Sequence, residues 1–135
     1  MLTIRKLKKI AKQAKKFGDN PRIIKLATEQ QILNAILEFL NRSGHFAWRN
    51  NTGGVYKTHG EHTRFFRFGH PGSADILGIQ YFSGKFIAIE VKRPGKEPTE
   101  LQKNFLNIIK SQGGIAFVAH SIDDVINYFQ KGSEK

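Results

Sequence analysis

Lys85-Phe86-Ile87-Ala88-Ile89-Glu90-Val91-Lys92 is an apolar run that closes on an acid and a cation. Side chains alternate across a strand, so Phe86, Ala88, Glu90 and Lys92 share one face while Ile87, Ile89 and Val91 share the other. Glu90 and Lys92 therefore point the same way, at the end of a strand apolar enough to be buried. Desolvating a carboxylate and an ammonium there is costly unless they serve something. Taken alone, a Glu-x-Lys has an ordinary explanation as a weak surface ion pair.

The upstream sequence gives that tripeptide a partner. Asp75-Ile76-Leu77-Gly78-Ile79-Gln80-Tyr81-Phe82 reads as a second strand, with His70-Pro71-Gly72-Ser73 as turn punctuation before it and Ser83-Gly84 as a short connection after it. The two runs form an expected antiparallel hairpin whose outer ends bring Asp75 and Glu90 together. Two converging carboxylates left partly open suit a hard cation such as Mg²⁺, which takes a few acids, water and substrate phosphate oxygens. The alternative for Asp75 is a turn-starting aspartate.

Two helices direct polar residues toward the same place. Thr28-Glu29-Gln30-Gln31 has the form of a capping box and opens a helix running to about Arg42-Ser43-Gly44. A first-turn glutamate complements the helix dipole. At ~100° per residue, however, Glu29 lies over Leu33, Ile36 and Leu40, at the end of the stripe that must face the sheet. Pro98-Thr99-Glu100-Leu101-Gln102 repeats the pattern, with Gln102 above Leu106 and Ile109 on a helix through about Gln112. Gln102 has two compatible readings, a capping-box glutamine and a group that orders water or phosphate.

Glu29 with Gln31, Gly72-Ser73-Ala74-Asp75, Glu90-Val91-Lys92 and Gln102 resemble the PD-(D/E)XK nuclease superfamily, and within it the virus-type replication-repair nuclease (VRR-NUC) family. The resemblance spans about residues 28 to 125. It implies a restriction-endonuclease-like α/β fold with an αβββαβ core, a mixed central sheet flanked by helices, and Mg²⁺ or Mn²⁺ dependence. It also implies structure-selective cutting of DNA. Carried over by residue, it assigns metal ligation to Glu29, Asp75, Glu90 and the Val91 carbonyl, and catalytic roles to Asp75, Glu90, Lys92 and the supporting Gln102. It also makes Arg49 a candidate for substrate binding. Ala74 stands where the superfamily name has proline, which no step of the chemistry requires.

Charge agrees with a polyanionic partner. The 135 residues have room for one core, and their formal net charge is +11. Each phosphate neutralised releases condensed counterions, so nucleic acid is the expected partner. No apolar run approaches the ~18 residues of a membrane span, and no membrane partner is expected. No secretory leader is expected, because the first residues lack an apolar h-region and a small-residue cleavage site. Zero cysteines leave no disulfide framework, which suits a cytosolic setting.

Domain organisation is expected as a basic helical arm over 1–20 and a nuclease domain over 21–135, separated near Asn20-Pro21. Residues 5–16 contain no acid, and Ile4, Leu7, Ala11 and Ala14 can share one helix side. Three readings of this arm stand: a DNA-contacting segment through Lys8, Lys9 and Lys12, a helix packed on a dimer partner, and a membrane-surface helix.

In the middle of the chain, His45-Phe46-Ala47-Trp48-Arg49 reads as a first strand, followed by the turn chemistry of Asn50-Asn51-Thr52-Gly53-Gly54. Tyr56, Lys57, Arg64, Phe65, Phe66, Arg67 and Phe68 interleave rings with cations. Such a mixture suits a nucleic-acid groove; the favoured alternative is a strand with alternate rings buried. Arg64, Arg67, Arg93 and Lys96 are candidate DNA contacts, with an exposed loop lysine as the default for Lys96. His59 and His62 lack a second ligand pair, so a solvated loop is expected rather than zinc.

Downstream, Gly113-Gly114 ends the Gln102 helix, Ile115 to Ala119 forms a buried strand, and Ser121-Ile122-Asp123-Asp124 opens a closing helix. The expected activity is metal-dependent endonucleolytic cleavage of DNA, with branched DNA and four-way junctions as substrates and a homodimer presenting two cutting sites. Two alternatives remain at the level of sequence: a non-catalytic nucleic-acid-binding module on a degenerate nuclease fold, and a nuclease acting on RNA.

Overall fold

The protein is described by a computed structural model over residues 28–131. The basic arm, including Lys8, Lys9 and Lys12, lies outside the described residues. Among the described residues nine elements follow in order: α1 (Glu29–Arg42), β1 (Phe46–Arg49), β2 (Gly53–His59), β3 (His62–Phe68), β4 (Ile76–Ile79), β5 (Phe86–Val91), α2 (Glu100–Ser111), β6 (Ile115–Ala119) and α3 (Ile122–Lys131).

Helix α1 starts where its cap chemistry dictates. The Gln31 N–H donates to Thr28 Oγ1 at 3.2 Å and the Thr28 N–H donates to Gln31 Oε1 at 3.0 Å, closing the capping box. Its buried stripe is Ile32, Leu33, Ile36, Phe39 and Leu40. The helix ends at Ser43, and Gly44 takes the left-handed conformation (φ 98°) that a side chain would resist.

Strands β1, β4, β5 and β6 form a four-stranded sheet in the order β1-β4-β5-β6. β4 pairs antiparallel with β1 and β5, whereas β6 pairs parallel with β5 across the α2 crossover. The architecture is thus the mixed sheet flanked by helices expected for a restriction-endonuclease-like fold. β5 is central and buried on both faces. Ile87, Ile89 and Val91 join the α1 stripe and Val125 and Ile126 of α3 in the main core. On the other face, Ala88 packs with Ala74, Ala116 and Leu106 beneath α2. Edge strand β1 is satisfied from α1: Asn41 accepts the Ala47 N–H at 3.1 Å and donates to the Ala47 carbonyl at 3.0 Å.

Three local expectations are corrected. β4 ends at Ile79, and the connection to β5 is longer than Ser83-Gly84. The chain turns through Phe82 in the left-handed region (φ 65°), with Gln80 N–H on the Lys85 carbonyl and Gly84 N–H on the Gln80 carbonyl. Second, Phe65 to Phe68 lie on a strand, but their rings are not alternately buried. β2 and β3 pair only with each other as a separate two-stranded ribbon, exposed along almost its whole length. Third, His59 and His62 are directly opposed residues at the tip of that ribbon rather than loop residues.

Candidate active site

The pairing register brings the acids together. β4 and β5 pair from Ile79↔Phe86 to Ile76↔Ile89, so the next step along the same ladder sets Asp75 opposite Glu90. Ile76 and Ile89 face α1, which by alternation turns Asp75, Glu90 and Lys92 to the α2 side. Asp75 lies one residue beyond the paired strand, and its Oδ2 accepts the Val91 N–H at 2.9 Å. In extended backbone the carbonyl of a residue points to the same strand edge as its N–H, so the Val91 carbonyl lies on the Asp75 side of β5.

Glu90 is only 1% exposed. Lys92 Nζ lies 3.6 Å from its Oε1. Its Oε2 is buried with no hydrogen-bond partner among the described residues. Burial first, and then Asp75, through its charge and through a hydrogen bond that shares a proton between the two carboxyls, push the Glu90 carboxyl from its ordinary 4.5 up to about 8, against a smaller opposing pull from Lys92. One lysine does not compensate two carboxylates in this setting. An orphaned carboxylate oxygen beside a second acid is the donor set that a hard divalent cation takes, so the residues fit Mg²⁺ or Mn²⁺.

Glu29 stands at the same end of the sheet but reaches it from the α1 side. Its Oε1 accepts the Arg93 N–H at 3.3 Å. Among the described residues no three acids or histidines come together, so Glu29 is not gathered into one cluster with Asp75 and Glu90. The reason is the alternation itself: α1 packs against the Ile89 and Val91 face, and Glu90 points to the other. Arg49 is the last residue of β1 and pairs with Ile76, which sets it at this sheet end on the α1 face.

Gln102 closes its own capping box, accepting the Thr99 N–H on Oε1 at 2.9 Å, while Thr99 Oγ1 accepts the Gln102 N–H at 3.3 Å. The cap uses the side-chain oxygen, which leaves the NH₂ as the part able to serve the site. Arg93 and Lys96 lie in the exposed turn after β5, where the Lys96 N–H donates to the Arg93 carbonyl. His120 Nε2 meets the Lys96 carbonyl at 2.9 Å and ties this turn to the start of α3. Arg64 and Arg67 are exposed on the ribbon.

Asn50, expected only as turn chemistry, has a larger part. Its Nδ2 donates to Ser73 Oγ at 2.8 Å and to the Ala74 carbonyl at 2.9 Å, and its backbone N–H donates to the Asp75 carbonyl at 2.8 Å. One residue at the end of β1 thus fixes the whole approach to Asp75. Its position directly after a strand end was the available signal. The partners are more than twenty residues away, beyond the ribbon, and local turn rules cannot reach them.

The Asp75 segment is also wedged against α2. Gly72 adopts φ +75°, and a Cβ there would come within 2.8 Å of the Leu101 carbonyl.

No helix among the described residues is long and apolar enough to cross a membrane. A search of curated proteins returns no match. The model of the VRR-NUC domain matches residues 27–123, a span that runs from the cap of α1 through Asp75, Glu90, Lys92 and Gln102 into α3. With most of its length inside that match, the chain belongs to the VRR-NUC domain family and carries a nuclease-type module.

Proposed function

We propose that this protein is a metal-dependent DNA endonuclease that hydrolyses phosphodiester bonds at the β4–β5 end of its sheet, with branched DNA, including four-way junctions, as its substrate. The observation that carries the reading is Glu90: a carboxylate buried beside a second acid, with one oxygen unpartnered and a lysine 3.6 Å from the other. A structural role alone gives no return on that desolvation cost.

Asp75, Glu90 and the Val91 carbonyl are the groups to hold Mg²⁺ or Mn²⁺, with Glu29 behind them at the strand end. When bound, the cation supplies charge neutralisation at the scissile phosphate and acidifies coordinated water. Lys92 keeps its side chain 18% exposed and its ammonium on Glu90. From there it orients the attacking water and offsets charge on the phosphate. Gln102, at the start of α2, is the supporting residue, through the NH₂ that its capping box does not use. Arg49, Arg93 and Lys96 surround this sheet end and receive flanking phosphates, which positions the backbone without reading sequence. A homodimer would present two such centres to a two-fold symmetric junction.

The deciding experiment incubates the full chain and its Lys92→Ala variant with junction, flap, linear duplex and RNA substrates, in Mg²⁺ and in chelator. Cutting of branched DNA that needs both the cation and Lys92 is the expected result. Binding without metal-dependent cutting would establish a non-catalytic module instead, and preferential RNA cleavage would reassign the substrate.

A further inference from the structure

We infer that the β2–β3 ribbon is a grip for duplex DNA, an arm that lies in a B-form groove while its cations Lys57, Arg64 and Arg67 engage the bordering phosphates. The inference rests on the nucleic-acid reading above and adds which element holds the substrate and in what form.

The ribbon is otherwise unexplained by packing. A two-stranded sheet alone is marginal in water, and its open edges invite unwanted pairing. Among the described residues, cross-strand contacts are what hold it. The Tyr56 and Phe65 rings sit 4.9 Å apart, Thr58 and Thr63 hydroxyls 3.1 Å apart, and Lys57 Nζ lies 5.6 Å over the Phe66 ring. The Phe65 ring also fills the space over Gly54, where a Cβ would overlap it. Yet Tyr56, Phe65, Phe66 and Phe68 stay about half exposed or more. Rings displayed on an element that contributes nothing to the core mark an interaction surface.

Charge selects the occupant. Lys57 and Arg64 are directly opposed in the register and so share a face. Like charges in that relation destabilise a ribbon, and an anion between them removes the penalty. Residues 53–68 carry these two cations and, on the opposite face beside Tyr56 and Phe65, Arg67, against the single acid Glu61, so both faces of the ribbon are basic. A second copy of the chain would bring the same cations face to face, within a molecule already at +11. A phosphate backbone meets the same surface with opposite charge.

Dimensions select the form. Each strand has seven residues, and at 3.3 Å per residue the ribbon reaches about 23 Å. A B-form major groove about 12 Å wide admits a two-stranded ribbon, whereas the A-form groove of duplex RNA is too deep and narrow for side chains to read. The roots set the location. β2 starts three residues after Asn50, which is bonded to Ser73, Ala74 and Asp75, and β3 returns through Gly69 against Thr52. The arm therefore leaves the molecule at the sheet end that carries the acids.

The test measures binding of a blunt duplex DNA to the full chain by fluorescence anisotropy in chelator, over a salt series, for the wild type and a K57Q/R64Q/R67Q variant. All three positions are exposed, so the fold is retained. The expected result is at least a tenfold weaker complex near 0.1 M salt and a log–log salt slope smaller by about 2 to 3, at about 0.9 for each phosphate contact. Duplex RNA should bind more weakly and lose less. An unchanged DNA affinity and slope would overturn the inference. So would equal losses for DNA and RNA, or a dimer that V55S/F66S splits while DNA binding stays intact. Magnesium-dependent hydrolysis of bis(p-nitrophenyl) phosphate by the unaltered protein reports the metal centre separately. An inactive centre with the ribbon effect intact refutes the nuclease reading alone.

Discussion

Asp75 Oδ2 accepts the Val91 N–H at 2.9 Å, just past the last paired residues of β4 and β5. The carboxylate takes over the ladder where the strand stops. It both terminates the sheet and presents a charge beside Glu90.

These two duties are separable by substitution. Asp75→Asn keeps an acceptor for Val91 and should hold stability near the wild type while losing cleavage by a factor on the order of 10² to 10³. Asp75→Ala should lose activity equally and also cost about 1–3 kcal/mol, because it leaves the Val91 N–H without its partner. Urea denaturation beside a cleavage assay checks both outcomes. Equal stability of the two variants would show that the hydrogen bond contributes nothing.

Glu90 should make the metal-free protein sensitive to alkali. Its folded value, about 8, lies above the ordinary 4.5. The folded state therefore binds the extra proton between those values. Stability from this group is complete below pH 4.5 and is lost as pH rises through 8. In chelator, the melting temperature should fall across that window. Saturating Mg²⁺ should flatten the curve by compensating the ionised form. Glu90→Gln should remove most of the slope, melt higher than the wild type at pH 8.5 in chelator, and abolish cleavage. A differential scanning fluorimetry series covers all of these.

Asn50→Ala should weaken the centre without touching it. The Ser73 hydroxyl and the Ala74 carbonyl lose their donor, while the backbone bond from residue 50 to Asp75 survives. The expected cost is about 1–3 kcal/mol. Turnover should fall at least tenfold, with DNA affinity in chelator unchanged. A fall in affinity instead would assign Asn50 to substrate contact.

Gly72→Ala tests the wedge between the Asp75 segment and α2. The left-handed backbone alone costs about 1–3 kcal/mol for a residue with a Cβ. The approach to Leu101 adds to that, so a larger loss and a displaced Asp75 are expected. Thermal melting and cleavage should fall together.

The legible parts of the fold were those that neighbouring residues specify. Thr28 with Gln31, and Thr99 with Gln102, close as capping boxes within four residues of chain. The alternation of β5 fixed which of its residues are buried together, and so placed Glu90 and Lys92 on one side. The meeting of Asp75 and Glu90 was readable because a hairpin is a local object. What escaped was set by contacts distant in sequence. Phe65 to Phe68 have the pattern of a half-buried strand, but no other element among the described residues offers them a surface. Glu29 has the helical phase of a core residue. Which face of the sheet α1 covers decides what it can reach, and no local periodicity contains that information. The Phe82 turn was missed because a bulky residue at positive φ goes against the usual glycine preference.

The ribbon is fastened at both roots, by Asn50 on one side and Gly69 on the other, and its tip at Gly60-Glu61 is free of the sheet. Chain can be gained or shed there in matched pairs, one residue per strand, with every inherited register preserved; a one-sided insertion would flip each side chain beyond it. The hydrolytic apparatus does not register the change. With the ribbon as the proposed grip, reach along the substrate would be left free to drift over evolutionary time, and open to redesign, while the chemistry stays fixed.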